Sequence, residues 1–451
     1  MNTTRIRRSL VAAVGVAALA LAGCSSPGSV PAGDSDVTLT YSLWDANQQP
    51  AYQACADAFT AQTGIGVTIQ QQGWTDYWSG LTTALVSGTA PDVITNHVQY
   101  YPELAENGQL LDLQPYVDKD GFDTGQYTGN LADLWVKDGK RYGLPQDWDT
   151  IALVYNVDDL KAAEVDAASL DELTWNPDDG GTFGKLLAHL TIDKNGKRGD
   201  EDGFDKKNVE TYAWALEQGG GVVGQTQWSW TALSTGFTYL DTNPFGTHYN
   251  LDDPRLIATL DWWQQQIEQG YVVPFAEAGQ LGLEPQLKQH KASMVSDGSW
   301  RINTWSDATE QTFAYAKLPT GPEGRKTIIN GLAPSITAAS KHPDEAWQWV
   351  KFIGSPDCQN LVAEKAVVFP AIPAAAEKAA ATHQAAGHDV SAFLEEAQDP
   401  ASLDYYPITL HANEINTLAQ ATIDDIQQLK VKPADAMPPL AEQVNRVLGS
   451  Q

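Results

Sequence analysis

Indole and phenol rings standing beside carboxylates, amides and an imidazole are the chemically loaded features of this sequence. Trp44-Asp45, Trp74 with Tyr77, and Asn96-His97 are three such groupings, and Trp228 and Trp230 alternate in GQTQWSW. The chain carries 15 Trp and 16 Tyr against 11 Phe, a bias toward aromatic rings with a polar handle. Rings of that kind suit a ligand that has C–H faces to stack and hydroxyls to hydrogen-bond, which describes a sugar ring. They also suit an apolar pocket with a few polar groups. Most of the Trp belong in the core on this reading, and about a quarter line a pocket. Trp228 and Trp230 face one side if their segment is extended, and that side is either cleft or core.

Other chemistries find less material. There is no Gly-x-Ser-x-Gly elbow, no HExxH and no glycine-rich phosphate loop. The 8 His offer little for a His-based metal site. A secreted glycosidase needs two carboxylates held at a fixed separation; with 57 acidic residues such a pair can always be nominated, so its presence decides nothing. The reading is therefore of a binding protein, not an enzyme, needing no cofactor. One metal reading stays open. DKNGKRGDEDGFD gathers Asp193, Asn195, Asp200, Asp202 and Asp205 around three Gly, an oxygen-rich composition that suits calcium. Lys197 falls at a ligand position and Phe204 where the bidentate Glu should stand, so a solvated acidic loop is the favoured alternative.

The elements that must position these residues begin with the chain's size. At 451 residues it exceeds what a single core usually supports, so more than one lobe is expected. The formal net charge of −29 disfavours nucleic acid and anionic membrane surfaces as partners. Residues 1–23 have the layout of a secretory signal, with Arg5, Arg7 and Arg8 ahead of the apolar run LVAAVGVAALALA. That run ends at Leu21-Ala22-Gly23-Cys24, which resembles the bacterial lipobox, where cleavage precedes the Cys and its thiol is lipidated. Residues 24–36, rich in Ser, Pro and Gly, read as a flexible tether. The expectation is a body held by a lipid anchor on the outer face of the cytoplasmic membrane. Cys55 and Cys358 remain, as either a disulfide or two separate buried thiols.

From Val37 the pattern reads βαβαβ. VTLTYSLWD alternates as a strand, QQPAYQACADAFTAQTG is an amphipathic helix closed by Gly64, VTIQQQ is a strand, TDYWSGLTTALVSG a helix closed by Gly88, and PDVITN a third strand. This implies an α/β fold with a parallel, doubly wound sheet. Ligands sit at the carboxyl ends of such strands, which puts Trp44-Asp45 and Asn96-His97 at a cleft rim and Trp74 and Tyr77 near it, at the start of the second helix. Further on come a hairpin at Asp138-Gly139, a strand ending at Tyr155-Asn156, a long helical and loop region to about 300, a strand pair in FAYAKLPTGPEG and TIINGLAPSITAAS, the amphipathic helix DEAWQWVKFIGS, and a mostly helical tail ending in a helix near 434–448.

Four stretches carry a resemblance to a family. AFTAQTGIGVTI, DGKRYGLPQDWDTIALVYN, KQHKASMVSDGSWRINTW and LPTGPEGRKTIINGLAPSITAASKHPDEAWQWVKFI, in that order and spacing, resemble segments of the extracellular solute-binding proteins of carbohydrate ABC importers, the group that includes maltose-binding protein. The resemblance implies a two-lobed periplasmic-binding-protein-like fold with hinge strands and a ligand cleft between the lobes. It implies an N-terminal lobe of 37–147 plus 331–372 and a C-terminal lobe of 148–330 plus 373–451. It also implies a monomer that delivers a sugar or oligosaccharide to the membrane subunits of an importer; a peptide or polyamine in the same fold is the alternative. Trp300 resembles the family's sugar-stacking indole, with Gly298 before it letting ligand approach the backbone. Asp147 and Trp148 fall at the implied crossover, where a carboxylate accepts paired hydroxyls. Asn330-Gly331 open the return strand, and Tyr405-Tyr406 are weaker candidates. The resemblance also places Cys55 and Cys358 in one lobe, favouring their bridge.

Overall fold

The structure is a computed structural model and describes residues 36–450; the signal, Cys24 and most of the tether lie outside the described residues. Strand β1 (Thr38–Leu43) leads into the helix Gln49–Thr63, which starts with Pro50 in its first turn and ends on Gly64 at φ 78°, a left-handed stop that glycine adopts freely. Strand β2 (Gly66–Gln71), the helix Trp74–Ser87 with its own left-handed stop at Gly88, and β3 (Val93–His97) complete the unit. β1 lies between β2 and β3 and pairs in parallel with both, Tyr41 standing opposite Ile69 on one side and Val93 on the other.

The sheet is parallel only this far. The hairpin β4 (Val136–Lys137) and β5 (Lys140–Arg141) turns through Asp138 and Gly139, both at positive φ, the backbone that a two-residue Asp-Gly turn requires. Next come β6 (Asp147–Asp149) and β7 (Ile151–Asn156), separated by one residue yet members of different sheets. β7 joins a five-stranded sheet with β8 (Ile192–Asp193), β9 (Val209–Trp214), β10 (Ala292–Gly298) and β11 (Phe313–Ala316), in the order β11-β7-β10-β9-β8. β12 (Thr327–Ile336), buried along all ten residues, returns to the first sheet and runs antiparallel to β3 and β6; β13 (Phe369–Pro370) adds to β6 and β14 (Leu403–Tyr405) to the start of β12.

Three expectations need correction here. The doubly wound parallel sheet covers only β1–β3, because β12, β6 and β13 enter the same sheet from the hinge side and run antiparallel to their neighbours. FAYAKLP and TIINGLAPSI are both strands but not partners: β11 pairs with β7 and β12 with β3 and β6. The stretch to about 300 holds β8 and β9, and the helical tail holds β14.

The chain passes between the two sheets at Thr150 and again between β11 and β12. The first passage is closely tied. Ser299 donates its backbone N–H to the Thr150 carbonyl at 3.0 Å, the Thr150 hydroxyl donates to the Phe393 carbonyl at 3.0 Å, and Ile151 N–H donates to Thr327 Oγ1 at 3.0 Å. Three segments far apart in sequence therefore meet at the Thr150-Ile151 junction. Each sheet has its own core: Tyr41, Phe59, Trp349 and Ile353 pack under the first, Phe183, Trp214, Trp230 and Val295 under the second.

Cys55 and Cys358 are bridged, with Cα atoms 5.1 Å apart, tying the helix Gln49–Thr63 to the helix Pro356–Lys365 across 303 residues of sequence. A link closing so long a loop removes much unfolded-state entropy. The Cys55→Ala/Cys358→Ala double variant is expected to lose about 2–5 kcal/mol of stability, read by urea unfolding under non-reducing conditions. Unchanged unfolding would show that the bridge adds nothing.

Candidate functional site

A cavity of about 300 Å³ lies where the ends of the two sheets meet. Elements of the first sheet supply Trp44, Asp45, Trp74, His97, Asp147, Trp148, Asp149, Asn330 and Leu332; the segment after β9 and the turn after β10 supply Glu217, Gln225, Thr226, Gln227 and Trp300. Of the residues singled out in the sequence, nine reach this wall: Trp44, Asp45, Trp74, His97, Asp147, Trp148, Trp300, Asn330 and Tyr406.

The aromatic corner is built in two layers. Trp44 follows β1, Trp74 opens the helix that follows β2, and their rings meet edge to face at 5.0 Å. Tyr77 stands behind them, 5.2 Å from Trp44, with its hydroxyl donated to the Thr95 carbonyl at 2.6 Å; it anchors the helix to β3 and does not line the cavity. Trp78 sits against Trp44 at 5.6 Å and stacks on Tyr100 at 3.7 Å. Trp74 stays 42% exposed, a large indole held open at the cavity mouth.

Strand alternation splits two of the neighbouring pairs, Asn96-His97 and Asn330-Gly331, because successive side chains point to opposite faces. His97 faces the cavity, whereas Asn96, fully buried, donates to Ser335 Oγ at 3.1 Å on the other side. Both belong to β3 itself and do not follow it. His97 Nδ1 accepts the Gln99 N–H at 3.1 Å, and its Nε2 lies 2.7 Å from the Asn330 amide nitrogen; burial pushes the imidazole down to about 3, so it is neutral. Gly331 does not line the cavity: a Cβ there would come within 3.0 Å of the Asp147 carbonyl and 3.1 Å of Leu131, so its missing side chain lets β12 lie against β6. Trp148 stacks on Phe369 at 4.7 Å and contributes only an edge.

Two expectations about tryptophan settings change. Trp228 and Trp230 do not share a face, because the segment is not extended: a helix begins at Ser229, and two residues along a helix turn the side chain to the far side. Trp228 packs near Tyr239, while Trp230 is fully buried with its indole N–H donated to Ser296 Oγ at 3.2 Å. Gly298 makes room for Trp300 itself and not for ligand. The Cβ it lacks would lie 1.9 Å from the Trp300 ring, so the indole folds back over the glycine to present itself to the cavity.

Four carboxylates share the wall. Asp45 accepts from Asn47 N–H at 2.8 Å and Gln48 Nε2 at 3.2 Å. Asp147 accepts the Leu332 N–H at 3.1 Å and Gln146 Nε2 at 3.4 Å. Asp149 accepts Gln225 Nε2 at 2.8 Å, a bond joining the two sides of the cleft, and Glu217 accepts the Thr226 hydroxyl. Burial pushes Asp147 up to about 7 and Asp149 well above the ordinary carboxylate range; burial likewise raises Glu217. Asp149, Glu217, the glutamines 225 and 227, and Tyr406, whose hydroxyl donates to Gln99 Oε1 at 2.9 Å, are cavity residues that the sequence reading did not single out or ranked low. For Asp149 the signal was present: in Asp-Trp-Asp, alternate residues share a face.

The acidic loop is closed on itself. Asp193 accepts the N–H groups of Asn195 (2.8 Å), Lys197 (3.0 Å) and Asp205 (2.8 Å), Asp200 pairs with His189 at 2.8 Å, Asp205 accepts Asn208 Nδ2 at 2.8 Å, and Lys197 Nζ donates to the Asp202 carbonyl. Among the described residues no group of three or more His, Cys, Asp or Glu is placed to hold a metal ion.

The raised Asp147 gives a pH prediction. Its carboxyl titrates near 3.8 when unfolded and near 7 when folded, so between these values the native state holds the extra proton. Its contribution therefore favours folding in acid and is lost as pH rises through about 7. Asp147→Asn, which keeps an oxygen for Leu332 N–H, is expected to stabilise the ligand-free protein by about 1–2 kcal/mol at pH 8 and to change it little near pH 4. Equal shifts of melting temperature at both pH values would contradict this.

The family model of bacterial extracellular solute-binding proteins matches residues 54–388. A maltooligosaccharide ABC transporter solute-binding lipoprotein of Streptococcus pneumoniae is 24% identical over 373 residues, 80% of each chain. The maltodextrin-binding protein MdxE of Bacillus subtilis is 21% identical over 367 residues, again 80% of each. Among solved structures, the ABC substrate-binding protein Lmo0181 of Listeria monocytogenes, in complex with cycloalternan, superposes with a TM-score of 0.78 at 18% identity, covering 92% of this chain and all of that one. Its fold is the one described above, with two lobes, hinge strands and a cleft between them. With the family model spanning most of its length, this chain belongs to the bacterial extracellular solute-binding protein family.

Proposed function

We propose that this protein is an extracytoplasmic receptor that captures a sugar or oligosaccharide between its lobes and delivers it to the membrane subunits of an ABC importer, without transforming it. In this reading 37–147 plus 331–372 form one lobe and 148–330 plus 373–451 the other. Lipid on Cys24 tethers a monomer to the outer face of the cytoplasmic membrane, and no cofactor takes part. No helix among the described residues is long and apolar enough to cross a membrane.

The observation that carries the reading is the composition of the cavity wall. Trp44, Trp74 and Trp300 offer indole surface while Asp45, Asp147, Asp149, Gln225 and Gln227 offer hydrogen-bonding groups, and the two kinds of group come from both sides of the cleft. Stacking on indole with hydroxyls bonded to carboxylates is the recognition that a sugar ring asks for. Relatives with a maltooligosaccharide or maltodextrin in their names support the same ligand class. A glycosidase reading gains nothing from the carboxylates, since hydroxyl-accepting acids need no particular separation whereas catalytic ones do.

A thermal-shift screen of the purified protein against mono- and oligosaccharides, amino acids and polyamines tests this. A sugar at one hundred times its Kd is expected to add about 2.7 kcal/mol to native stability and to be recovered unchanged. Response to a peptide or amine alone would overturn the ligand class; consumption of the sugar would overturn the receptor role. Two variants address Trp300. Trp300→Ala is expected to weaken binding by tenfold or more, about 1.4 kcal/mol or more. Gly298→Ala, whose φ of −88° an alanine accepts, is expected to do nearly the same by displacing the indole. Wild-type affinity in Gly298→Ala, read by calorimetry, would show that the ring's seat is not what matters.

A further inference from the structure

The cavity is electrically one-sided. Asp45, Asp147, Asp149 and Glu217 line it, and among the described residues no Lys or Arg does. The guanidinium whose charge reaches Glu217, that of Arg301, is already paired with Asp297 at 2.9 Å and Glu284 at 3.0 Å. The one imidazole on the wall, His97, is neutral. Buried carboxylates without a cation are expensive to keep ionised, and here they face one another across a single space.

The hydrogen-bond inventory points the same way. Asp45 and Asp147 each accept two protein donors, but Asp149 accepts only from Gln225 and Glu217 only from Thr226. Each of those two therefore has an oxygen, Asp149 Oδ1's twin and Glu217 Oε1, left for a ligand's donor. Asp147 and Asp149 are alternate residues of β6 and share its cavity face, about 7 Å apart along the strand. A hydroxyl brings one donor with acceptor lone pairs and no charge, whereas a protonated amine brings three donors, no acceptor and the missing positive charge. The exposed indole of Trp74, packed against Trp44, adds faces that attract a cation. An amine alone leaves one group unmet. The Gln227 amide Nε2 has no partner, belongs to a side chain only 9% exposed, and lines the same cavity. As a donor it calls for an oxygen on the ligand. With no metal-holding cluster among the described residues, an organic molecule that carries both a positive charge and oxygens answers both kinds of group.

We propose that the carbohydrate taken by this cleft carries a basic nitrogen: an amine-bearing sugar whose ammonium lies against Asp147 and Asp149, faced by Glu217 across the cavity, with its ring hydroxyls toward Gln227 and its ring face toward the indoles. This deepens the proposed function and rests on it.

Isothermal titration at pH 7 separates the two claims. The probes are glucosamine disaccharide and trisaccharide with free amines, their fully N-acetylated counterparts, maltotriose and spermidine. The free-amine sugars are expected to bind at least tenfold tighter than the N-acetylated ones, with affinity falling as salt rises. Asp149→Asn is expected to shrink that ratio to threefold or less, and Glu217→Gln serves the same purpose if the first variant does not fold by circular dichroism. N-acetylated sugars or maltotriose binding as tightly as the free amines would overturn the amine and leave the sugar receptor standing. Spermidine binding with every sugar silent, or no binding by any probe, would overturn both.

Discussion

Thr150 is the single residue between Asp149, the last residue of a strand in the first sheet, and Ile151, the first of a strand in the second. Its carbonyl and hydroxyl are bonded to Ser299 and Phe393, and the next amide to Thr327. Each sheet has its own core, and these few bonds are where the chain is held while it changes from one sheet to the other. The cleft is set out from this junction: β6 carries Asp147 and Asp149 on the first-sheet side, and the end of β10 carries Trp300 on the second-sheet side through Ser299. A rotation about a junction of this kind moves Trp300 and Glu217 relative to Trp44 and Asp147, which is the geometry of hinge closure.

The cleft itself is bought at the expense of stability. A buried carboxylate that stays protonated up to about pH 7 marks a site where the empty protein is less comfortable than an apolar replacement would be. Such strain persists where a ligand relieves it. The aromatic side of the cavity is different in kind: Trp44 and Trp74 are braced by Tyr77, Trp78 and Tyr100, so their rings are in place before any ligand arrives, and little ordering remains to oppose binding. One wall is aromatic and braced, the other lined by buried carboxyl groups with oxygens left for a ligand. Together they define a ligand with a flat apolar face and polar groups, positively charged in the sharper reading.

Much of this was legible in the residues. Gly64 and Gly88 marked both helix ends of the first unit, and the Asp138-Gly139 turn marked its hairpin, because each demands a positive φ that few residues other than glycine accept. Trp44, Trp74, His97, Asp147 and Trp300 were readable as cleft residues from their places after strands, at a helix start or in a resembling motif. What escaped was set by partners distant in sequence. The antiparallel half of the first sheet depends on β12, which arrives some 230 residues after β3. The role of Gly298 depends on where the ring of Trp300 folds, and the separation of Trp228 from Trp230 on a helix that starts between them. The glycine-rich stretch before Gln225 offers no periodicity from which its place on the wall could be read.

The central claim is that one ligand is held by both lobes at once. Hydrogen–deuterium exchange with and without a saturating sugar tests it most directly. The account predicts slowed exchange in two sets of peptides together: those covering Trp44 to Gln48 and Trp74 to Trp78 on one side, and those covering Glu217 to Gln227 and Ser299 to Trp300 on the other. Protection confined to one lobe, or appearing only outside these segments, would contradict it.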